Sequence, residues 1–209
     1  GFGGQGNPDF IVGYGGSFGE DGSFGGGGGT GVGQDGFKGG RGGFGGGNGA
    51  GSQVSPAFGG GGNSLSRGGG GAGLGGAIFN HGGTLTIINS TLVGNTASGG
   101  SGFNAGISLG GAIFNLNGTV TLTNATLAFN RADQGGNQIW SLGSDDKSNN
   151  GFDDTDPVPG TAAVVTSSNS ILWQNTNTQA DFTTGIVGTA TSTSAGVGNL
   201  IGRVGNFAG

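Results

Sequence analysis

Residues 75–97 read GGAIFNHGGTLTIINSTLVGNTA and residues 110–132 read GGAIFNLNGTVTLTNATLAFNRA, identical at 14 of 23 positions and offset by 35 residues. A repeat of this length must be read before any single element, because each copy is one structural unit that cannot bury its apolar side alone. A looser third copy, VTSSNSILWQNT at 165–176, is anchored by Asn169, Leu172 and Asn175. These align with Asn89, Leu92 and Asn95 in the first copy and with Asn124, Leu127 and Asn130 in the second. The third copy lacks the GGAI start and carries Ser167 where the others have Ile87 and Leu122.

Within a copy the apolar period is two, not 3.6. Thr84-Leu85-Thr86-Ile87 and Thr119-Val120-Thr121-Leu122 alternate polar and apolar with many β-branched residues, as half-buried strands do. Three short strands, at 77–80, 84–88 and 91–93, separated by Gly and Asn corners, make up one coil of a parallel β-helix. The predicted fold class is therefore all-β. Neighbouring strands lie about 4.8 Å apart, so stacking should set Leu85 on Val120, Ile87 on Leu122, and Leu92 on Leu127 and Leu172.

The recurring Asn residues fit such corners. Asn accepts left-handed backbone at a bend, and its amide can bond the amide one coil away. Asn80/Asn115, Asn89/Asn124/Asn169 and Asn95/Asn130/Asn175 are the expected ladders. The plainer alternative is that each Asn serves its own turn.

Ahead of the repeats, residues 1–74 hold 35 Gly, with Phe and Tyr dotted singly through them. By composition this is a Gly-rich, irregular arm, packed on the coils or on a neighbouring molecule. Only 4 Pro and no continuous Gly-X-Y period exclude a collagen triple helix. The expected organisation is an arm at 1–74 and coils at 75–209, with an acidic insertion at 133–160.

Six Lys and Arg against eleven Asp and Glu leave a net charge of −5, too few cations to hold a polyanion. Nucleic acid is not an expected partner. No apolar run reaches the roughly 18 residues of a spanning helix. With no Cys and no Met, the chain is expected to be a processed or partial product of an exported protein, needing no disulfide.

The GGAI tetrapeptides at Gly75–Ile78 and Gly110–Ile113 resemble those of the polymorphic outer-membrane-protein and autotransporter-type repeat families. A companion FxxN element has a Leu counterpart in Leu92-Val-Gly-Asn95, Leu127-Ala-Phe-Asn130 and Leu172-Trp-Gln-Asn175. The resemblance spans roughly 68–202 and implies a right-handed parallel β-helix on a bacterial surface, used for adhesion or matrix building.

Enzyme action on such a fold needs clustered carboxylates or a placed Arg, Lys or His on one face. The predicted strands carry Thr, Ser and Asn instead, and the single His81 is replaced by Leu116 in the next copy. No catalytic residue and no required cofactor are expected. One segment has dense oxygen ligands: Asp146, Ser148 and Asn150 match the first half of a calcium loop, with Asp153, Asp154 or Asp156 to close it. A solvated acidic loop is the competing reading. Thr84/Thr86 and Thr119/Thr121 form a small outward Thr-x-Thr array of the kind seen on ice-binding surfaces, but two coils make it narrow and Thr is a good strand residue anyway. Open solenoid ends need capping or use. The expected function is self-assembly into an extracellular fibre or sheath, and the alternative is a monomeric adhesin or glycan-binding segment of a larger cell-surface protein.

Overall fold

A computed structural model describes residues 21–22, 25–31, 38–51, 54–145, 162–174, 179–203 and 205–207. Among them the chain is all-β, with no helix, and none long and apolar enough to cross a membrane. They divide into two compact units. One is formed by the Gly-rich residues up to Gly73 together with Gly99–Ile107; the other begins at Leu74–Ser98 and continues from Ser108. The excursion between the two sequence repeats thus belongs with the Gly-rich residues, not with the repeats that flank it.

The repeat unit contains three four-stranded parallel sheets. Ile78–His81, Ile113–Leu116, Ile139–Ser144 and Phe182–Val187 form the first. Thr84–Ile88, Thr119–Thr123, Ala162–Ser168 and Thr191–Val197 form the second. The third holds Thr91–Val93, Thr126–Ala128, Ile171–Trp173 and Leu200–Ile201. Each block of chain gives one strand to each sheet, and the next block adds its strand alongside. Leu85 pairs with Val120, Ile87 with Leu122, and Leu92 with Leu127, which pairs with Leu172.

Alternation decides which side chains go in. Val120, Leu122, Leu127, Val165 and Leu172 are fully buried, while Ile78, Leu85 and Leu92 of the first block pack on them and remain partly exposed. Asn89, Asn124 and Asn169 all have φ near +50°, at the corner between the second and third sheets. Gly198 has a φ of 66° at the same corner of the fourth block, where the left-handed backbone needs no Asn.

One expectation needs correction here and a second needs extending. The acidic insertion is shorter than 133–160, because Ile139–Ser144 inside that span is a strand paired with Ile113–Leu116. The third copy does lack the GGAI text, but its block begins before 165: Ile139 pairs with Ile113, so Gly136-Asn137-Gln138-Ile139 stands where Gly110-Gly111-Ala112-Ile113 does. Gly136 keeps the left-handed corner, with a φ of 60° against 66° at Gly110.

Among its described residues the Gly-rich unit has no helix and no strand before Gly73, yet its backbone hydrogen bonds recur at a regular spacing. The N–H groups of Gly22, Gly25, Gly28 and Gly31 donate to the carbonyls of Arg41, Phe44, Gly47 and Ala50. Those of Gly45, Asn48 and Gly51 donate to Phe58, Gly61 and Ser64. Donation at every third residue ties neighbouring segments together along their length, while Gly46 N–H to Gly43 O and Gly60 N–H to Ala57 O close local turns. One residue can bond two neighbours: Gly61 accepts from Asn48 and donates to Gly70. The segments lie so close that a Cβ on Gly28, Gly61 or Gly70 would run into the carbonyl of Gly40, Asn104 or Gly100. Side chains enter only at intervals. Phe44 stacks on Phe58 with centroids 4.9 Å apart, and the buried Asn48 and Asn63 amides bond backbone at Gly42, Val54 and Gly51.

Candidate functional site

The corner amides line up between blocks. Asn80 Nδ2 donates to Asn115 Oδ1 at 2.8 Å, and Asn115 Nδ2 donates to Ser141 Oγ at 3.1 Å. At another corner Asn95 Nδ2 donates to Asn130 Oδ1 at 2.9 Å. Asn130 Nδ2 donates to Gln138 Oε1 at 2.6 Å, and Gln138 Nε2 to Asp181 Oδ1 at 3.3 Å. The amide-to-amide donors of these two rows point from earlier to later blocks, while Asn130 Nδ2 also donates back to Leu92 O at 2.9 Å, and the Asn95 row ends on the Asp181 carboxyl. Asn124 Nδ2 donates the other way, to Asn89 Oδ1 at 3.1 Å. Asn169 shares the corner backbone of that pair. Asn175 lies outside the described residues; Gln138 holds the third rung of the Asn95 row, from the start of its block rather than the end.

Burial and pairing fix the electrostatics of these rungs. Asp181 is fully buried, and desolvation pushes its carboxyl above the usual range, against the lowering effect of N–H donors from Arg203, Gln138 and Gln174. Ser167, at the core position of Ile87 and Leu122, is also fully buried, and its Oγ meets Asn199 Oδ1 at 3.0 Å. Asn199 Nδ2 donates to Ser167 O, and Ser170 N donates to Asn199 Oδ1, so the polar core position is hydrogen-bonded on every side. Burial pushes the His81 imidazole below its ordinary value.

No group of three or more metal-ligating side chains occurs among the described residues. Asp146, Ser148, Asn150, Asp153, Asp154 and Asp156, the expected calcium loop, all lie outside them. Asp133 is engaged by Arg131 at 2.9 Å on the surface.

What the repeat unit presents outward differs by sheet. On the first, Phe79 stacks on the fully buried Phe114 with centroids 5.5 Å apart, and the partly buried Trp140 follows Phe114 in register. Ile78 and Ile113 take the core side, and Phe79 is 37 % exposed. On the third, Ile171, Trp173 and Leu200 are exposed large apolar residues, and a side chain at Gly202 would strike the Trp173 ring. On the second, the outward positions carry no charge: most are Thr, Ser, Ala or Val, with Ile88 and Val197 exposed at one edge. At the ends of the sheets, the first block is terminal in all three. The fourth block is partly covered: Phe207 meets the Phe182 ring edge-on at 4.9 Å, and Asp181 N donates to Arg203 O.

The chain matches no known protein-family model, no curated protein and no solved structure. Geometry alone carries the functional reading. Of the expected Asn rows, the pairs Asn80/Asn115, Asn89/Asn124 and Asn95/Asn130 are bonded; sequence pattern missed Gln138, Asp181, Ser141 and Asn199, whose only signal is chemical type, since they fall in segments without repeat identity.

Proposed function

We propose that this chain is a right-handed parallel β-helix of an extracellular structural protein, similar to bacterial surface repeat proteins, which assembles end to end into a fibre or sheath. One observation carries the reading: among the described residues the first block stands at the edge of all three parallel sheets, with Ile78, Leu85 and Leu92 incompletely covered. A strand edge over an incompletely covered core is a template for another strand. Two of the three amide rows add direction, because the Asn80 and Asn95 rows donate from earlier to later blocks and so favour a head-to-tail partner, while the Asn124 amide donates the other way. A head-to-tail contact that does not close makes filaments. The exposed Trp173 on the third sheet favours a second reading, a glycan-binding adhesin, since an aromatic face can stack on a sugar ring.

Sedimentation velocity and negative-stain imaging of the purified chain test assembly directly. Concentration-dependent growth into fibres is expected, and Leu85→Lys, which aims a charge into the joint, should hold the protein monomeric with unchanged circular dichroism. A wild type that stays monomeric at high concentration, with and without calcium, overturns the reading. Saturable glycan binding that Trp173→Ala abolishes would favour the second one.

A further inference from the structure

The outward face of the second sheet forms a lattice of its own. Thr84, Thr119, Val164 and Thr193 are neighbours on successive strands and make one column. Thr86, Thr121, Thr166 and Ala195 make the next. Where the two sequence repeats offer a pair of Thr-x-Thr rungs, the assembled sheet extends the array over four strands, and none of these eight positions is buried. No side chain in either column is charged and none is larger than Val or Thr. Spacing follows from the backbone: about 4.8 Å between strands and about 6.7 Å between alternate residues along a strand.

Thr and Val are stiff at χ1, so hydroxyls and methyls recur at nearly fixed points in two dimensions. Val164 keeps the branched footprint where the hydroxyl is lost. Lys, Glu or Asp would hold disordered hydration shells here, and all are absent. A protein partner offers an irregular surface and finds no large anchor side chain in these two columns; Ile88 and Val197, exposed in the next column with Thr123 and Ser168, lie at their edge. A soluble sugar finds no aromatic platform, amide or carboxylate in the two columns. A partner that is itself periodic, at repeats of the same order, can meet every rung at once.

We propose that this face binds the ordered water lattice of ice, with the Thr methyls seated in surface hollows and the hydroxyls taking lattice positions. The inference does not depend on end-to-end assembly, since the face is a side of the unit and not an end.

The test is ice shaping, thermal hysteresis and recrystallisation inhibition with the whole purified chain. Wild type should facet ice crystals and hold their growth. Thr121→Lys, in the middle of the array, should lose both effects, while Ser98→Lys, an exposed substitution away from the columns, should keep them. Circular dichroism and melting establish that each variant is folded, and Thr166→Lys serves in the same column should Thr121→Lys misfold. Round, freely growing crystals with wild-type protein overturn the proposal, as does full activity in both column variants. Retention on crystalline cellulose or chitin without any effect on ice also overturns it.

Discussion

The two units solve one problem with opposite materials. Every backbone N–H and C=O removed from water needs a partner. In the repeat unit parallel ladders supply the partners, and the strands stand apart so that Leu122, Leu127, Val165 and Leu172 can fill the space between sheets. In the Gly-rich unit the backbone itself is the interior. Its three-residue repeat sends hydrogen bonds to neighbours on several sides, and the chains approach until there is no room for a Cβ at Gly28, Gly61 or Gly70. One interior is held chiefly by hydrophobic burial and the other chiefly by hydrogen-bond density. Polarity of composition is thus a poor guide to order: a stretch with few large apolar residues forms a regular unit when its backbone can serve as the packing surface.

Substitutions of opposite sense should separate these interiors. Removing volume injures the repeat unit most: Leu127→Ala, at a fully buried position, should cost about 2–5 kcal/mol in chemical denaturation. Adding volume injures the Gly-rich unit: Gly61→Ala sets a methyl against the Asn104 carbonyl and should cost about 1–3 kcal/mol. Hydrogen exchange should show the loss of protection from Gly61→Ala confined to the Gly-rich residues. An alanine at Gly61 that leaves exchange unaltered would show that this interior is looser than its hydrogen bonds imply.

A smaller effect bears on polar groups inside the apolar interior. Asp181 ends the amide row, and burial raises its carboxyl in the folded state. A raised acid is held more firmly protonated when folded, so its contribution is complete below the unfolded value of 3.8 and is lost as pH rises through the folded value. Wild type should therefore lose stability relative to Asp181→Asn as pH climbs from 3.8 upward, read as a difference in melting temperature. The opposite trend would mean that the N–H donors outweigh desolvation.

The smallest effect concerns a corner. Phe129 is 52 % exposed with a φ of 54°, where the preceding block has Gly94 at 71°. Left-handed backbone costs a residue with a Cβ about 1 kcal/mol, and Phe129→Gly should recover about that amount in denaturant titration. No gain would place the strain elsewhere or show that the Phe129 ring earns its position by contact.

How far these features could be read in advance depends on where side chains carry the signal. The pairing of Leu85, Ile87 and Leu92 with Val120, Leu122 and Leu127 follows from duplicated text, because a period of two with a fixed offset allows one register only. Phe182–Val187 and Thr191–Val197 escaped, since Ser192, Ser194 and Gly196 stand where core residues would and the fourth block has Gly198 in place of the corner Asn. Ile139–Ser144 escaped because Asn137-Gln138 replaces the Gly-Ala of the earlier starts. Ser167 looks like decay of the repeat until Asn199, far along the chain, is seen to bond it. The spacing of hydrogen bonds in the Gly-rich residues left no trace in composition, because a glycine that bonds a neighbouring segment and one that does not read alike in the sequence.

Local chemistry therefore determined the β character, the strand lengths, the 35-residue offset and the left-handed Asn corners, all of which depend on neighbours within one copy or on identity between two. Tertiary structure alone decided that Gln138 and Asp181 would complete an amide row, that four strands would align their Thr residues, and that a glycine tract would order. Each of these needs a partner distant in sequence to supply a hydrogen bond or exclude a side chain, and no local pattern specifies which partner that is.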